Sequence, residues 1–459
     1  MRQRLSGSLL ALATVTVFAG CEAASPSYQA CRDCNVVVIS VDTLRADRVG
    51  ALGSARRTTP EIDALARRGA LFENAISQSS WTRPAHMSIF TGLHPREHGF
   101  IALADTRRLD DSIPTLASVL HDNGYRTAAF VGGVNLSAAY GFDRGFDVYR
   151  NNGKYFRDNL EDTRYWLDHE ATGKFFLFLH GYDPHTPYLN DPVDREALGL
   201  PSTPPTESLA ATCRADGPLS RIDPYVHEYE AAVHRADRYV GKLVRELETR
   251  GLLDRTILVV LSDHGEEFLE HDRCFHIAPL HREVLHVPLL VIAPGLPPHR
   301  IAQAVSASVT IAPTVMEMLG IPGHPFPGPS LLGAATGGRA PDDPIVSETE
   351  RNTEKKGEGH LRALTTDRDK LIHWTTQGRY ALFDTTVDAA ERRALGDAAR
   401  RRSLAATLDA WVASHPARTP TRRRQPAAAG KSVKTPEDQE AERERRQREE
   451  ELRSLGYAD

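Results

Sequence analysis

Residues 256–265 read TILVVLSDHG, an apolar run rich in β-branched residues that leads directly into Asp263 and His264. A continuous apolar run of this length is typical of a strand that is buried on both faces of a parallel sheet. Residues 35–41 read NVVVISV and lead into Asp42 in the same way. Both segments therefore predict buried strands that deliver carboxylate or imidazole side chains at their carboxyl ends.

Comparable apolar runs alternate with helical patterns along the chain. Strands are also predicted at 125–131 (YRTAAFV), 174–180 (KFFLFLH) and 286–293 (HVPLLVIA), and helical patterns cover 59–72, 113–122 and 226–250. This alternation predicts an α/β fold with a mostly parallel sheet covered on both faces. Sites in such sheets lie beyond the carboxyl ends of the strands. We therefore expect one shared site to contain Asp42, His180, Asp263 and His264.

The composition changes near residues 320–345, which are rich in Gly and Pro. After this change, 361–374 and 378–384 each predict a strand, and the region near 388–413 predicts a helix. We place a main domain at 35–335, an α+β C-terminal subdomain at 336–415, and a charged linker with a tail helix at 416–459. Residues 437–453 alternate Glu and Arg, which favours a solvated helix; a docking helix is the alternative.

Composition excludes several classes of protein. The chain has 459 residues, 41% hydrophobic and 25% charged, with a formal net charge of −5. These values are ordinary for a globular protein and exclude global disorder, a collagen and a polytopic membrane protein. Because basic residues are not in excess, nucleic acid is not the predicted partner.

The first residues have the pattern of an export signal. Arg2 and Arg4 precede an apolar run at 9–19 that is too short to span a bilayer. Residues 19–21 (AGC) resemble a bacterial lipobox, although Phe18 stands where Leu is preferred. We therefore predict a signal peptide at 1–20, lipidation of Cys21 and an anchored linker at 21–34. The protein would then be an exported, membrane-anchored lipoprotein on the periplasmic or cell-surface side; an ordinary signal peptide is the alternative.

Four further cysteines would lie in an oxidising compartment, where disulfides persist. Cys31 and Cys34 have redox or zinc spacing, but no second CxxC completes a zinc site. A local disulfide or free thiols are favoured over a metal site for this pair. Cys213 and Cys274 are the candidate long-range pair, although four cysteines allow three pairings.

Residues 80–92 (SWTRPAHMSIFTG) resemble the signature of sulfatases, in which C/S-x-P-S-R precedes an apolar stretch and T-G. Further matching segments follow the family's order: VDTLRADRVG at 41–50, TGLHPREHG at 91–99, HGYDPHTPY at 180–188, SDHGEEFLEHD at 262–272, VPLLVIAPG at 287–295 and ALFDTTVDAAERRAL at 381–395. Over roughly 35–415 the chain resembles the sulfatase branch of the alkaline-phosphatase superfamily. That resemblance implies an alkaline-phosphatase-like three-layer sandwich.

The chain departs from the sulfatase pattern at the reactive positions. Thr82 stands where sulfatases carry the Cys or Ser that matures to formylglycine, and oxidation of a secondary alcohol gives a ketone instead of the required aldehyde. Ala85 and His86 replace the family's Ser and Arg. Residues 132–136 (GGVNL) replace its GKWHLG stretch, and Asp42-Thr43 replaces its Asp-Asp pair.

A Thr nucleophile is instead the feature of relatives that cleave phosphodiesters or transfer phosphoglycerol groups. The resemblance implies that Asp42, Asp263 and His264 hold one divalent metal ion, with the Thr82 hydroxyl as a further ligand. Mixed carboxylate and imidazole ligands favour Mn²⁺ or Zn²⁺ over Ca²⁺ or Mg²⁺. Activation of the hydroxyl beside the ion would let Thr82 attack phosphorus.

The resemblance also places His180, His185 and His276 around an anionic ester substrate, with His276 as the candidate general acid. His86 and Arg45 are candidate substrate contacts, although an ion pair of Arg45 with Asp47 or Asp42 is an equal alternative. Asp183 with some of these histidines could instead bind a second metal ion.

Three functions remain open from the sequence. The leading interpretation is an exported metal-dependent hydrolase or transferase acting on phosphodiester-type esters through Thr82. The second is hydrolysis of sulfuric esters. The third is an inactive binding protein on the same fold.

Overall fold

The computed structural model describes residues 28–418, apart from positions 103, 104, 106, 152, 154, 202–204, 206, 215–218, 278, 279 and 352–358. The predicted signal peptide, the lipidation of Cys21 and the predicted tail helix lie outside these residues. In the described part of the chain, no helix combines the length and apolar character needed to cross a bilayer.

Eight strands form the central sheet, and the apolar runs noted above supply its middle. They are β1 (Asn35–Val41), β2 (Ala70–Ile76), β3 (Arg126–Phe130), β4 (Val148–Arg150), β5 (Phe175–Gly181), β6 (Thr256–Leu261), β9 (His286–Ile292) and β10 (His299–Ser306). A two-stranded hairpin, β7 (Glu267–Phe268) with β8 (Cys274–Phe275), lies after β6.

The strand order of the central sheet is β10-β2-β9-β6-β1-β5-β3-β4. Every described pairing is parallel except those of β9, which runs antiparallel to both β2 and β6. This confirms the predicted α/β class with a mostly parallel sheet. Because β1 pairs with β5 on one side and β6 on the other, the carboxyl ends of these three strands meet at one edge.

Helices cover both faces of the sheet. The α-helices of the described residues are α1 (Pro60–Ala66), α2 (Thr82–Thr91), α3 (Pro95–His98), α4 (Leu116–Asp122), α5 (Phe156–His169), α6 (Pro192–Ala197), α7 (Leu209–Arg214), α8 (Asp223–Thr249), α9 (Arg282–Leu285), α10 (Ile311–Met318), α11 (Leu332–Ala335) and α12 (Ala398–Ser414), of which α12 packs on the C-terminal sheet instead.

Alternate residues of β1 enter two separate cores. Val36 and Val38 pack on the side of α2, α4 and α10, whereas Val37 and Ile39 pack on the side of α1, α5 and α8. Successive strand residues point to opposite faces, so a strand buried on both sides must be apolar at every position. This explains the unbroken run in the sequence and gives three layers, as the resemblance implied.

The C-terminal subdomain is a four-stranded antiparallel sheet of β11 (Ile345–Arg351), β12 (Gly359–Thr365), β13 (Asp369–Trp374) and β14 (Arg379–Asp384). One face packs against the main domain near Leu280 and Val284, and the other packs against Leu408 and Trp411 of α12.

Three boundary predictions are wrong. The predicted strand at 361–374 is two strands, β12 and β13, separated by a turn in which the hydroxyl of Thr366 accepts a hydrogen bond from the Asp369 amide. The helix predicted to reach 72 ends at Ala66, and residues 70–72 belong to β2. Gly69 permits this close pairing, because a Cβ there would lie 2.3 Å from the Val291 carbonyl oxygen.

The third wrong boundary concerns α12, which begins at Ala398 and not near 388. Asp397 caps it by accepting hydrogen bonds from the amides of Ala399 and Arg400. The preceding turn is held by Glu391, which is buried against Lys370. The predictions also missed β2, β4, β10 and β11; in the edge strand β10 three of the four exposed positions are polar, which hides its apolar pattern.

Both candidate disulfides are present. Cys31 is bonded to Cys34, and Cys213 is bonded to Cys274. The second bond ties α7 to the β7–β8 hairpin, which lies beside the candidate active site.

Candidate active site

The carboxyl ends of β1, β5 and β6 bring the predicted site residues together. Asp42 follows β1, His180 is the second-last residue of β5, and Asp263 and His264 follow β6. The backbone between them is fixed by cross-connections: the Asp42 amide donates to the Gly181 carbonyl at 3.1 Å, and the Leu44 amide donates to the Ser262 hydroxyl at 2.9 Å. The strand order, which the sequence does not state, therefore creates the site.

Asp42, Asp263 and His264 form a set of buried groups that can hold a metal ion. One ligand atom from each lies within 4.8 Å of the others. Oδ1 of Asp42 and Oδ2 of Asp263 are buried and accept no hydrogen bond within the described chain. Burying unpaired carboxylate oxygens is costly, so a cation between them would satisfy both. The donor set therefore fits a divalent ion, as sulfatase-family members use.

The electrostatics of this cluster indicate a site built for positive charge. Burial, together with the neighbouring Asp263 carboxylate, raises the pKa of Asp42 to about 7. Burial alone would lower the pKa of His264, but the Asp263 carboxylate outweighs it and raises that pKa to about 9. Burial would raise the pKa of Asp263, yet His264 and His86 bring it below its ordinary value.

His264 is oriented for ligation by its own backbone. Its Nδ1–H donates to the Gly265 carbonyl at 2.9 Å, which leaves Nε2 facing the carboxylate of Asp263 at 3.2 Å. A backbone carbonyl on the far nitrogen is the usual way in which a ligating imidazole is held in one tautomer.

Thr82 is the first residue of α2 and is buried against the same cluster. Its Oγ1 lies 3.4 Å from Oδ2 of Asp42 and 3.3 Å from Nε2 of His264. The first amides of a helix have no partner within the helix, and they carry the positive end of its dipole. The structure therefore places the Thr82 hydroxyl beside two of the three candidate metal ligands, Asp42 and His264, and at a positive helix end.

His86 lies one helical turn after Thr82 and is completely buried. Its Nδ1–H donates to the Thr82 carbonyl at 2.8 Å, and its Nε2 accepts from the Ser40 hydroxyl at 2.9 Å. Burial lowers the pKa of His86 to about 4. Both ring nitrogens are engaged within the protein, which fits a role in positioning α2; its predicted contact with substrate stays a prediction.

Three further histidines lie around the cluster, as the resemblance implied. Nε2 of His180 donates to Oδ2 of Asp42 at 3.1 Å. The ring of His276 lies 4.4 Å from that of His264 and 5.1 Å from that of His185. Burial lowers the pKa of His180 and of His185 to about 4, and it lowers that of His276 well below the ordinary value. These imidazoles are therefore neutral near pH 7.

Glu266 is a site residue that the sequence analysis missed. Its Oε1 lies 3.0 Å from Nδ1 of His276, and its Oε2 accepts from the Tyr188 hydroxyl at 3.4 Å. Burial raises the pKa of Glu266 to about 7. Its position two residues after His264, on the chain leaving β6, was the available signal.

Two residues with predicted roles have partners within the protein. The Arg45 guanidinium is paired with Asp47 at 2.7 Å and Glu270 at 2.6 Å, and it also donates to the Glu266 carbonyl. Arg45 thus forms the ion pair that was its alternative role, with Asp47 and not Asp42, and its contact with substrate stays a prediction. The Asp183 carboxylate pairs with Arg235 and accepts from the Phe156 amide. These partners leave Asp183 unsuited to a second metal ion.

Solved structures share this architecture. Phosphonate monoester hydrolase of Agrobacterium radiobacter superposes with a TM-score of 0.71 at 20% identity, over 83% of this chain and 96% of that one. A structure solved with D-glucosamine-2-N,6-O-disulfate superposes with a TM-score of 0.70 at 18% identity, over 83% and 97%. The fold and the strand-end site therefore define a protein of the alkaline-phosphatase-like class.

The sequence model of the sulfatase family matches residues 34–321, and the chain belongs to that family. Among curated relatives, arylsulfatase K of Xenopus laevis is 24% identical over 62% of this chain and 63% of the relative. The human N-sulphoglucosamine sulphohydrolase is 28% identical over 62% of this chain and 60% of the relative. The chain thus spans about three fifths of the length of these relatives.

Proposed function

We propose that this protein is a metal-dependent hydrolase or transferase that acts on phosphodiester-type esters through Thr82. The observation that carries the proposal is the position of Oγ1 of Thr82, 3.3 Å from His264 and 3.4 Å from Asp42. A hydroxyl at this position can attack directly, whereas its oxidation would yield a ketone and no formylglycine aldehyde.

Each residue of the site has a part in this reaction. Asp42, Asp263 and His264 would hold the ion, with Mn²⁺ or Zn²⁺ favoured by mixed oxygen and nitrogen ligands. When bound, such an ion lowers the pKa of a neighbouring hydroxyl and offsets negative charge on the ester oxygens. The amides at the start of α2 would stabilise the same developing charge.

The bond changes follow from these positions. Oγ1 of Thr82 forms a bond to phosphorus as the bond between phosphorus and the leaving oxygen breaks. His276, whose imidazole starts neutral, accepts the proton released by the Thr82 hydroxyl and gives it to that leaving oxygen, so the protons balance. Water or an alcohol then attacks the phosphothreonine ester, releases the product and restores the hydroxyl.

Sulfuric ester hydrolysis is the second candidate, favoured by the similarity to arylsulfatase K and N-sulphoglucosamine sulphohydrolase. For that reaction the chain lacks an aldehyde precursor at position 82. It also lacks the GKWHLG motif, which is replaced by a stretch that contains Asn135. We rank it below phosphodiester cleavage for these reasons.

The test compares a chromogenic phosphodiester with the matching sulfate ester on metal-reconstituted protein. We expect preference for the phosphodiester, loss of turnover in Thr82→Ala and partial retention in Thr82→Ser. The matched control is Thr91→Ala, the same change at the far end of α2, where the hydroxyl donates to the Met87 carbonyl and accepts from the Leu93 amide. Preference for the sulfate, or full turnover in Thr82→Ala, would contradict the proposal; no turnover of any ester would favour a binding protein.

We also propose export to a membrane through lipidation of Cys21, on the strength of the sequence pattern at 1–21. Only a thiol accepts the diacylglycerol, so Cys21→Ser should move the protein out of the membrane fraction. An unchanged distribution, together with an unchanged N-terminal mass, would exclude the anchor.

A further inference from the structure

A cavity of about 340 Å³ lies between the tip of the β7–β8 hairpin and the C-terminal sheet. Its size falls within the range of about 300–1,000 Å³ that is usual for small-molecule sites. Apolar walls are supplied by both domains, from Leu280 of the main domain and from Leu361, Trp374 and Phe383 of the C-terminal sheet. None of the residues that line the cavity belongs to the metal-ligand cluster.

The polar lining of this cavity is mostly cationic. Three guanidinium groups line it, from Arg273, Arg379 and Arg392, together with the imidazoles of His271 and His281. Glu391 is the carboxylate among the lining residues, and it is already paired with Lys370 at 2.8 Å and His281 at 3.1 Å. The walls therefore carry more positive than negative charge.

The guanidinium groups of two of these arginines have no carboxylate partner in the described part of the chain. Arg379 lies over the Trp374 ring, with its guanidinium carbon 3.6 Å from the ring centroid, and its Nε donates to Gln377 at 3.4 Å. Among the residues that the structure describes, Arg392 has one hydrogen bond outside regular secondary structure, from its backbone amide to the Asp388 carboxylate. An aromatic ring holds a guanidinium in place without neutralising it, which leaves its forked donors available for an anion.

We propose that this cavity binds the anionic group of a ring-bearing ligand, such as a sulfated or carboxylated sugar. Arg379 and Arg392 would donate to the anion, and the apolar walls would contact the ring. The ligand is either the remote part of the ester substrate or a separate molecule. One substrate molecule can span the active site and the cavity because the two lie close together. Arg273, which lines the cavity, is three residues from His276, at most about 10 Å along the chain. The first source rests on the proposed function; the second does not.

The test is calorimetric binding of glucosamine 2-N,6-O-disulfate, with neutral N-acetylglucosamine as the uncharged comparison. In Arg379→Ala/Arg392→Ala we expect the Kd for the disulfate to rise by about tenfold or more, because two charge-assisted hydrogen bonds are lost. The matched control is Arg67→Ala/Arg393→Ala, which removes the same charge from exposed arginines outside the cavity. Its Kd should equal that of the wild type.

Repeating the measurement in Asp263→Ala protein distinguishes the sources. If the disulfate still binds and the double variant still weakens it, the ligand is separate; if binding requires Asp263, the cavity holds part of the substrate. Equal Kd values in wild type and double variant, or no binding by wild type, would overturn the proposal. If the double variant unfolds, the two single variants are measured instead. Each is expected to raise the Kd by about threefold or more. Because binding is measured without turnover, failure of the Thr82 mechanism would not affect this result.

Discussion

Nδ1 of His276 lies 3.0 Å from Oε1 of Glu266, and both side chains are buried. Glu266 leaves β6 with the metal-ligand cluster, whereas His276 follows the β7–β8 hairpin. The contact thus fixes the imidazole of one segment on the carboxyl group of another. We infer that Glu266 is a positioning residue for the proposed acid.

Glu266→Gln should lower kcat by about tenfold to a hundredfold for esters with alkoxide leaving groups, the range seen when a supporting partner is lost. The loss should be smaller for a p-nitrophenolate leaving group, which needs no protonation, and KM should change little. The comparison of the two leaving groups is the measurement. Glu267→Gln is the control, since this adjacent buried carboxyl has no hydrogen bond to His276. Equal losses for both leaving groups would contradict a role in protonation.

Asp263→Ala and His264→Ala should each lose bound metal, measured by elemental analysis after reconstitution. Metal affinity should fall by more than the 10- to 100-fold that is typical, to within about an order of magnitude, when a residue hydrogen-bonded to a ligand is changed, because here the ligand itself is removed. Asp237→Asn offers a buried control away from the site, where the carboxylate accepts from the amides of Glu61 and Ile62. Full metal content in both ligand variants would exclude this assignment.

Removal of the Cys213–Cys274 bond by paired Ser substitutions should cost more stability than removal of Cys31–Cys34. Loop-closure entropy gives about 4 kcal/mol for the separation of 61 residues and about 2 kcal/mol for the separation of 3. Urea unfolding of the two variants under non-reducing conditions measures the difference. A larger loss for the Cys31–Cys34 variant would show that chain entropy does not decide the ranking.

The free energy of unfolding should decrease as the pH is lowered below about 6.5, because His98 is buried in its neutral form. Its Nδ1 accepts from the Phe100 amide at 3.2 Å, and burial lowers its pKa to about 3. In the unfolded chain the pKa of this histidine is about 6.5. Between pH 3 and pH 6.5 the unfolded chain therefore binds about one more proton than the folded chain, so acid favours unfolding. From pH 7 to pH 5, His98→Asn should lose about 2 kcal/mol less stability than the wild type. The exposed His169→Asn should behave as the wild type does; an identical pH dependence in His98→Asn would refute the assignment.

Much of the site could be predicted from sequence because strand ends are local features. Unbroken apolar runs identified β1, β5 and β6, and the polar residues after them identified Asp42, His180, Asp263 and His264. The edge strand β10 was missed, since three of its four exposed positions are polar.

The sequence by itself determined the α/β class, the strand-end residues and the presence of a Thr where an aldehyde precursor is expected. Only the tertiary structure decided the partners of these groups. Arg45 has no local feature that separates a substrate contact from an ion pair, and its contacts with Glu270 and the Glu266 carbonyl come from residues more than 200 positions away. Likewise, the pairing of Glu266 with His276 and the cavity beside Arg379 arise where separate segments pack together. Side-chain charge is encoded residue by residue, but whether a charge is neutralised depends on long-range packing that local periodicity does not record.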